Sequence, residues 1–371
     1  MDKFIRKNSF CKWIEPVSFN YLPMSLQEQI TQANAYTKKF DFHSFLKLML
    51  LAVSNQKDSL RDVEAALFNP QLQQELGFES LSISQLSRTL RRYDAALLEE
   101  LFSHLISLIH LEEKGFSRSK AYIIDSTTFP LNKTRYPWAE FRTTKSGVKL
   151  HLRLALLRSG DAYPDKLSVT NAQVHDVNQL EILIDQKLAT YIFDRGYLDF
   201  ELFDRLSNDG FFFVSRIKKN TLTHVMNRYT VAPESTIVSD QMVALGGSNA
   251  YLTDPYRLVE VSDTQGNPLR LISNRFDLSA EEISQMYRSR WEIELFFKHL
   301  KQQTRVKKFY SQDENGLKNQ LYVALIAQLL TYLIKLRTKS PMSSLTVTRY
   351  LLASLWEEET DWLIRIRGKP P

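Results

Sequence analysis

Apolar residues at helical spacing dominate the first third of the chain. Residues 42–56 and 60–69 repeat apolar side chains every three or four positions, as helices with one buried face do. The segment 84–92 carries small polar and basic side chains, among them Arg88 and Arg91, which is typical of the second helix of a helix-turn-helix. A solvated helix in a bundle explains the same pattern equally well.

Beyond residue 120 the pattern changes to short apolar runs separated by helical segments. It predicts strands at 121–125, 149–157, 165–172, 190–194 and 211–217, and helices at 175–188 and 198–210. The run 149–157 alternates basic and apolar residues, as a half-buried strand does, and 165–172 is predicted to pair beside it. Strands that alternate with helices predict an α/β core.

Residues 218–275 are rich in β-branched and aromatic residues. Within them, 256–263 and 269–275 predict a β-hairpin, and we interpret the whole segment as an all-β insertion in the core. Ser279, followed three positions later by Glu282, predicts the start of the next helix through a capping box.

The segment 287–301 is predicted to form a helix with a polar stripe. Tyr287, Arg290, Glu294, Lys298 and Lys301 are spaced 3, 4, 4 and 3 positions apart and therefore share one face. One carboxylate among an arginine and two lysines suits a metal-bound phosphate, with the acid facing the cation. Glu294 and Lys298 are also an ordinary i, i+4 surface pair, so the stripe indicates chemistry only if acidic partners occur upstream.

Composition and charge narrow the class of protein. With 371 residues, 43% apolar and 24% charged, the chain resembles a globular protein of two or three domains. The net charge of +6 permits a polyanionic partner, and residues 288–308 hold seven Lys or Arg against two Glu. The single cysteine, Cys11, excludes an internal disulfide and a cysteine-based zinc site. We recognise no signal peptide and no uncharged apolar run long enough to predict a membrane span.

Two predicted strands end in an aspartate, at 122–125 (Tyr-Ile-Ile-Asp) and 191–194 (Tyr-Ile-Phe-Asp). A carboxylate at the C-terminal end of a buried strand lies at the rim of the sheet, where α/β proteins bind ligands. Asp125 and Asp194 on neighbouring strands, joined by Glu294, are predicted to bind two Mg²⁺ ions through hard oxygen ligands. Four other aspartates are expected in loops or on helix surfaces, exposed to solvent: Asp161, Asp165, Asp185 and Asp199.

Several of these motifs together carry a family resemblance. Asp-Ser-Thr-Thr at 125–128, Asp-Arg-Gly-Tyr at 194–197 and Tyr-x2-Arg-x3-Glu-x6-Lys at 287–301 occur in this order. The set resembles the DDE transposases of bacterial insertion sequences, and most closely the insertion sequence 4 family. The resemblance covers roughly residues 30–340.

The resemblance implies a fold and a domain plan. The fold class is α/β, with an RNase H-like core (a mixed sheet flanked by helices), an all-β insertion before the last catalytic Glu, and an all-helical N-terminal domain. The implied regions are a helical DNA-binding domain (1–115), the catalytic core (116–217 and 276–340), the β insertion (218–275) and a short C-terminal tail (341–371).

The resemblance also implies roles for individual residues. Asp125, Asp194 and Glu294 are the implied catalytic triad and metal ligands, with Mg²⁺ as cofactor and Mn²⁺ as a possible substitute. Residues expected to contact DNA are Tyr287, Arg290, Trp291, Lys298 and Lys301, together with Arg88 and Arg91 of the N-terminal domain. Trp291 lies where relatives place an aromatic near a flipped base, although a core tryptophan fits equally well. His175, Asp176 and Lys149 also recur near the site in relatives.

The implied activity is cut-and-paste DNA transposition, in which transposon ends are cleaved, form hairpins and are joined to target DNA. The expected partners are double-stranded DNA, at the terminal inverted repeats and the target, and a second copy of the chain in a homodimer. No membrane partner is expected, and the expected location is the bacterial cytoplasm, in association with the nucleoid. Two alternatives remain: a structure-specific Mg²⁺-dependent nuclease on the same core, and a catalytically silent DNA-binding protein derived from a transposase.

Overall fold

The computed structural model describes residues 7–113, 121–142, 145–158, 161–173, 176–197, 199–247, 250–251, 254–262, 266–304 and 309–368. The chain divides into two compact units. The first comprises Met1–Ser117, Pro130–Ala139 and Lys298–Pro371, and the second comprises Arg118–Phe129 and Glu140–Phe297. This grouping differs from the predicted domain limits, because residues 298–340 group with the N-terminal helices and the last 31 residues are not set apart from them.

The helices and strands follow in chain order. The helices are α1 Ser9–Ile14, α2 Met24–Ala33, α3 Phe42–Ser54, α4 Leu60–Ala66, α5 Pro70–Leu76, α6 Ile83–Arg92, α7 Ala95–Glu112, α8 Val177–Leu183, α9 Phe200–Asn208, α10 Ala280–Arg288, α11 Trp291–Thr304, α12 Glu314–Thr338, α13 Ser344–Ala353 and α14 Glu359–Arg367. The strands are β1 Ala121–Leu131, β2 Glu140–Arg142, β3 Lys145–Arg158, β4 Asp161–Asn171, β5 Thr190–Phe193, β6 Phe212–Arg216, β7 Thr223–Arg228, β8 Ile237–Gly247, β9 Ala250–Tyr251, β10 Tyr256–Ser262 and β11 Pro268–Ser273.

The first unit is a helical bundle around α12. This helix packs on α3 and α7, and its side chains are buried along most of its length. Among the described residues it is the one helix long and apolar enough to cross a membrane, but 78% of its most apolar window is buried inside the protein. The core helix of a folded domain shows the same burial.

Segments near the first and last described residues pair within this first unit. Asn8 forms a β-bridge with Glu358, and the Ser9 N–H donates to the Glu357 carbonyl at 3.0 Å. Helices α13 and α14 pack on α12, and α14 also packs on α1. The C-terminal residues are therefore part of the helical core.

The second unit is built on one mixed sheet. Its strand order is β2-β3-β1-β5-β6-β11-β10-β8-β7, with β4 paired to β3 and β9 paired to β8. β1, β5 and β6 are parallel neighbours, whereas β3 and β4 form an antiparallel pair. Helix α8 packs on β3 and β4, and α10 packs on β5, β6, β8, β10 and β11. The predicted alternation of strands and helices is therefore present as a mixed α/β architecture.

The strands of the β-rich segment 218–275 extend this same sheet. β10 and β11 form the predicted antiparallel hairpin, and β11 pairs with β6 through Leu271, Ile272 and Ser273. β8 and β7 then continue the sheet outward from β10.

Strand β3 is buried on both faces, so the prediction of a half-buried strand is wrong for this segment. His151 and Arg153, which alternation assigned to an exposed face, are buried. Arg153 is held by Asp165 of β4, which accepts from its Nε at 2.7 Å, and its Nη1 donates to Asp185 Oδ1 at 2.5 Å. Burying a charge requires such pairing. The prediction that Asp161 and Asp165 lie in exposed loops is also wrong. Asp165 lies inside β4 and Asp161 at its start, and both are buried.

Candidate active site

Asp125 and Asp194 follow the paired segments of two neighbouring parallel strands. β1 and β5 pair in the register Ile124↔Phe193, so each aspartate comes one position after the last registered pair. β5 ends at Phe193 as predicted, but β1 continues to Leu131, so the prediction of a strand that ends at Asp125 is wrong. Because the two strands run in the same direction, both carboxylates nevertheless come at the same end of the paired region, next to each other in the sheet.

Helix α10 approaches these carboxylates from the capping box that the sequence predicts. The Ser279 side chain accepts from the Glu282 N–H, and Glu282 in turn accepts from the Ser279 N–H at 2.7 Å. Near the other end of the helix the Tyr287 hydroxyl donates to Asp194 Oδ1 at 3.0 Å. Burial, followed by the negative charge of Asp194, raises the pKa of Tyr287. The tyrosine therefore stays protonated and acts as a hydrogen-bond donor.

The predicted continuous helix through 287–301 is interrupted after Arg288. The Ser289 hydroxyl donates to the Met286 carbonyl at 2.6 Å, and the Arg290 N–H donates to the Tyr287 carbonyl at 3.1 Å. These contacts tighten the chain into a turn with i, i+3 bonds, and a new helix, α11, begins at Trp291. The polar stripe nevertheless keeps Tyr287, Arg290 and Glu294 together.

Arg290 bridges the first and third predicted acidic residues. Its Nη2 donates to Glu294 Oε1 at 2.5 Å, and its Nη1 lies 3.6 Å from Asp125 Oδ2. Its guanidinium also lies over the Tyr287 ring, 5.8 Å from the ring centroid. Arg290 thus contacts both Asp125 and Glu294, and Tyr287 contacts Asp194.

Burial perturbs the ionisation of Asp125. Its side chain is 24% exposed, and burial raises its pKa from the ordinary 3.8 to about 6. The charges of Asp194 and Asp176 act in the same direction, whereas the Ser126 N–H, 2.8 Å from Asp125 Oδ1, and Arg290 act against them. A carboxylate that is costly to ionise, set beside other carboxylates, is a common property of functional sites.

A third aspartate, Asp176, extends this acidic group. Its Oδ1 lies 3.3 Å from Lys149 Nζ and 3.4 Å from His151 Nδ1. His151 is fully buried, burial lowers its pKa to about 4, and its Nε2 is 2.9 Å from the Thr170 hydroxyl. His151 is therefore neutral, and its Nδ1 faces Asp176 without forming a hydrogen bond to it. The family resemblance singles out Lys149 and Asp176 near the site, and the spacing of β3 places Lys149 and His151 on one face. The sequence does not reveal that both side chains face the same aspartate.

The acidic residues fit a divalent metal in donor chemistry. Asp125, Asp194 and Glu294 offer only carboxylate oxygens, which Mg²⁺ prefers. Among the described residues, however, no three His, Cys, Asp or Glu side chains are gathered closely enough to hold a metal ion. The positive charge beside Asp125 and Glu294 comes from the Arg290 guanidinium instead.

The other predicted contact residues are differently placed. Trp291 is 58% exposed, which excludes the alternative of a core tryptophan. Lys298 and Lys301 are exposed further along α11. Arg88 and Arg91 lie on the exposed side of α6, and the Nε of each donates at 3.3 Å to the carbonyl four residues earlier. His175 lies outside the described residues.

A protein-family comparison decides the class of this chain. The family model described as "Transposase DDE domain" matches residues 117–330, more than half of the chain and all of the acidic site described above. The chain belongs to the DDE transposase family. It is therefore a DNA transposase, an enzyme that acts on DNA. A second family model, "Domain of unknown function (DUF4372)", matches residues 6–79 of the transposase.

Curated relatives extend the similarity along the transposase. A probable transposase for insertion sequence element IS5377 from Geobacillus stearothermophilus is 29% identical over 299 residues, 79% of this chain and 76% of the relative. The putative transposase y4zB of Sinorhizobium fredii is 28% identical over 285 residues, 76% of this chain and 78% of the relative. Among solved structures, the piggyBac transposase synaptic complex with hairpin DNA matches with a TM-score of 0.45 and 12% identity, over 98% of this chain and 81% of that one.

Proposed function

We propose that this transposase cuts transposon ends and joins them to target DNA by a cut-and-paste route, with Asp125, Asp194 and Glu294 as its metal-binding catalytic triad. The observation that carries the proposal is the register of β1 and β5, in which Asp125 and Asp194 come next to each other in the sheet. Glu294 joins them through Arg290, which contacts both Asp125 and Glu294. The family implies dependence on a divalent metal, for which we propose Mg²⁺ with Mn²⁺ as a substitute.

In this proposal Asp125, Asp194 and Glu294 would hold the metal ions, which would supply activation of the attacking oxygen and stabilisation of the leaving oxygen. Tyr287 orients Asp194 through its hydrogen bond. Attack by water breaks a P–O3′ bond and leaves a 3′-hydroxyl and a 5′-phosphate. That 3′-hydroxyl then attacks a phosphodiester of the opposite strand, which forms the hairpin bond and releases the 3′-hydroxyl of the flanking DNA. Water hydrolyses the hairpin bond and restores the 3′-hydroxyl of the transposon end. This hydroxyl attacks a phosphodiester of the target and displaces the target strand's own 3′-hydroxyl.

The cationic residues are proposed to hold DNA rather than to react. Arg290 carries a planar guanidinium that suits phosphate, and its Nε is buried without a hydrogen-bond partner among the described residues. Lys298 and Lys301 are proposed to contact the backbone of the transposon end. The exposed ring of Trp291 can stack on an extruded base, which makes it the proposed contact for a flipped nucleotide.

The helical N-terminal region is proposed to bind the terminal inverted repeats through the exposed Arg88 and Arg91 of α6. The proposal has three further parts: the core is of the RNase H-like type, the chain forms a homodimer in the DNA complex, and it is located in the cytoplasm at the nucleoid. The mixed sheet with parallel β1, β5 and β6 supports the RNase H-like core.

An end-cleavage assay tests the proposed catalytic triad. DNA that carries the inverted repeats flanking the gene is incubated with the full chain and Mg²⁺. We expect nicking at the transposon end by the wild type and its loss in Asp125→Asn, Asp194→Asn and Glu294→Gln, because each removes a metal-binding charge. Glu292→Gln on the same helix is the matched control and should cleave normally. Cleavage by any of the three variants at the wild-type rate contradicts the triad.

A further inference from the structure

We propose that the Tyr197 hydroxyl is a further binding group of the active site, donating a hydrogen bond to a water molecule in the hydration shell of a cation held by the neighbouring carboxylates. This inference rests on the proposed metal site. In this structure the Tyr197 hydroxyl forms no hydrogen bond to the proposed catalytic carboxylates or to the polar stripe of 287–301 among the described residues.

The position of Tyr197 follows directly from that of Asp194. The two residues are joined by the 3₁₀ turn Arg195–Tyr197, in which the Tyr197 N–H donates to the Asp194 carbonyl at 3.0 Å. The Tyr197 ring packs on Phe193, with ring centroids 6.0 Å apart, and only 1% of the residue is exposed. The turn thus fixes the phenol beside the second aspartate of the site.

The Tyr197 hydroxyl is buried, and no described residue accepts its proton in a hydrogen bond. Burial raises the pKa of this phenol, and the charges of Asp125, Asp176 and Asp194 raise it further, against the opposing effect of the Ser126 side chain, which faces the phenol as a donor and lowers its pKa. The group therefore carries its proton and can only gain by donating it in a hydrogen bond. Buried polar groups of folded proteins are rarely left without a partner, so the missing acceptor is expected to be a bound species rather than a protein atom.

None of the three neighbouring aspartates accepts from the Tyr197 hydroxyl in this structure. Asp125 accepts from a backbone N–H and faces a guanidinium, and Asp194 accepts from a second tyrosine. Asp176 stands at the N-cap position of α8 but makes no capping bond with its side chain, and its Oδ1, 3.3 Å from Lys149 Nζ, is also buried without a hydrogen-bond partner among the described residues. Helix α8 packs against the turn that carries Tyr197.

A hydrated divalent cation satisfies this arrangement. Mg²⁺ binds through a few carboxylates and retains several of its waters. A coordinated water uses one lone pair on the cation and both hydrogens on carboxylates, so its second lone pair remains free to accept from a phenol. Groups that orient the ligands of a metal in this way typically change its affinity 10- to 100-fold when removed.

The test compares Tyr197→Phe with Tyr191→Phe in the full chain. Tyr191 is the matched control, because it is equally buried on the neighbouring strand but its hydroxyl donates to the Gln186 carbonyl and accepts two backbone N–H groups. Mn²⁺ binding is measured by calorimetry, and thermal unfolding is measured in EDTA. We expect Tyr197→Phe to weaken Mn²⁺ binding by roughly 10-fold while its Tm in EDTA is unchanged or higher. We expect Tyr191→Phe to lower the Tm and to leave Mn²⁺ binding unchanged.

Two results overturn the inference. In the first, Tyr197→Phe binds Mn²⁺ as tightly as the wild type does. In the second, Tyr197→Phe lowers the Tm in EDTA as Tyr191→Phe does, which would show that the hydroxyl stabilises the fold. Asp125→Asn separates this failure from that of the proposed function. If it abolishes Mn²⁺ binding while Tyr197→Phe has no effect, only the role of Tyr197 is wrong. If the wild type shows no Mn²⁺ binding that depends on Asp125, the metal site and the role of Tyr197 both fail.

Discussion

Replacing Asp125 by asparagine is expected to stabilise the metal-free protein at neutral and higher pH. The side chain keeps its size, and the asparagine Oδ1 can still accept the Ser126 N–H that now lies 2.8 Å from Asp125 Oδ1. What disappears is a charge that burial disfavours. Active sites commonly sacrifice stability in this way.

The magnitude follows from the pKa of Asp125, which burial raises from 3.8 to about 6. The difference of about 2 pH units corresponds to about 3 kcal/mol, at 1.36 kcal/mol per unit. Between these two values the folded protein binds the proton more tightly than the unfolded chain does, so folding stability falls as the pH rises through this range. Above about pH 6 the ionised Asp125 lowers the free energy of unfolding by the full amount of about 3 kcal/mol. At pH 5 the reduction is about half of this, and well below pH 4 there is none.

Urea denaturation in EDTA between pH 5 and pH 8 measures this effect. Asp125→Asn should exceed the wild type by about 3 kcal/mol at pH 8 and by about half as much at pH 5. The exposed Asp209 supplies a control, because Asp209→Asn should change the free energy of unfolding by less than about 0.5 kcal/mol at either pH. An Asp125→Asn variant that is no more stable at pH 8, or whose advantage does not shrink with falling pH, would refute the reasoning.

Three further variants give separate tests. Arg290→Gln removes the guanidinium that contacts two of the proposed metal-binding carboxylates, Asp125 and Glu294. Mn²⁺ should therefore bind about tenfold more tightly in calorimetry, equivalent to about 1.4 kcal/mol, and weaker binding would contradict this. Asp165→Ala leaves the buried Arg153 with one carboxylate fewer and should cost about 3 kcal/mol in urea denaturation; a loss below 1 kcal/mol would show that the pair is not needed. Trp291→Ala should leave the Tm unchanged, because the side chain is exposed, yet weaken binding of a transposon end by about tenfold in a gel-shift titration. A lowered Tm with normal DNA binding would instead make this tryptophan structural.

The neighbouring positions of the three acidic residues could be predicted from the sequence because their signals are local, whereas their catalytic role stays a prediction. Asp125 and Asp194 each close a short apolar run, and Glu294 lies at fixed helical spacing from Arg290. The hairpin of β10 and β11 and the capping box at Ser279 were equally accessible, since both depend on residues close in the chain. The assignment to the insertion sequence 4 family stays a prediction.

The remaining features depend on contacts between distant segments. The alternation in β3 predicted an exposed basic face, but Asp165 and Asp176 come from other elements and permit Lys149, His151 and Arg153 to pack inward. Helical spacing continues across the break after Arg288, so the sequence alone predicts one uninterrupted helix there.

Joining of pre-cut DNA ends tests the central claim most directly. Ends with free 3′-hydroxyls, bearing the inverted repeats that flank the gene, are mixed with a target plasmid, Mg²⁺ and the full chain, and joined products are separated on a gel. The account predicts joined products with the wild type, none in EDTA and none with Glu294→Gln, while Glu292→Gln joins ends normally. Cleavage without joining by the wild type would instead indicate a nuclease. Joining by Glu294→Gln at the wild-type rate would contradict the assignment of the catalytic triad.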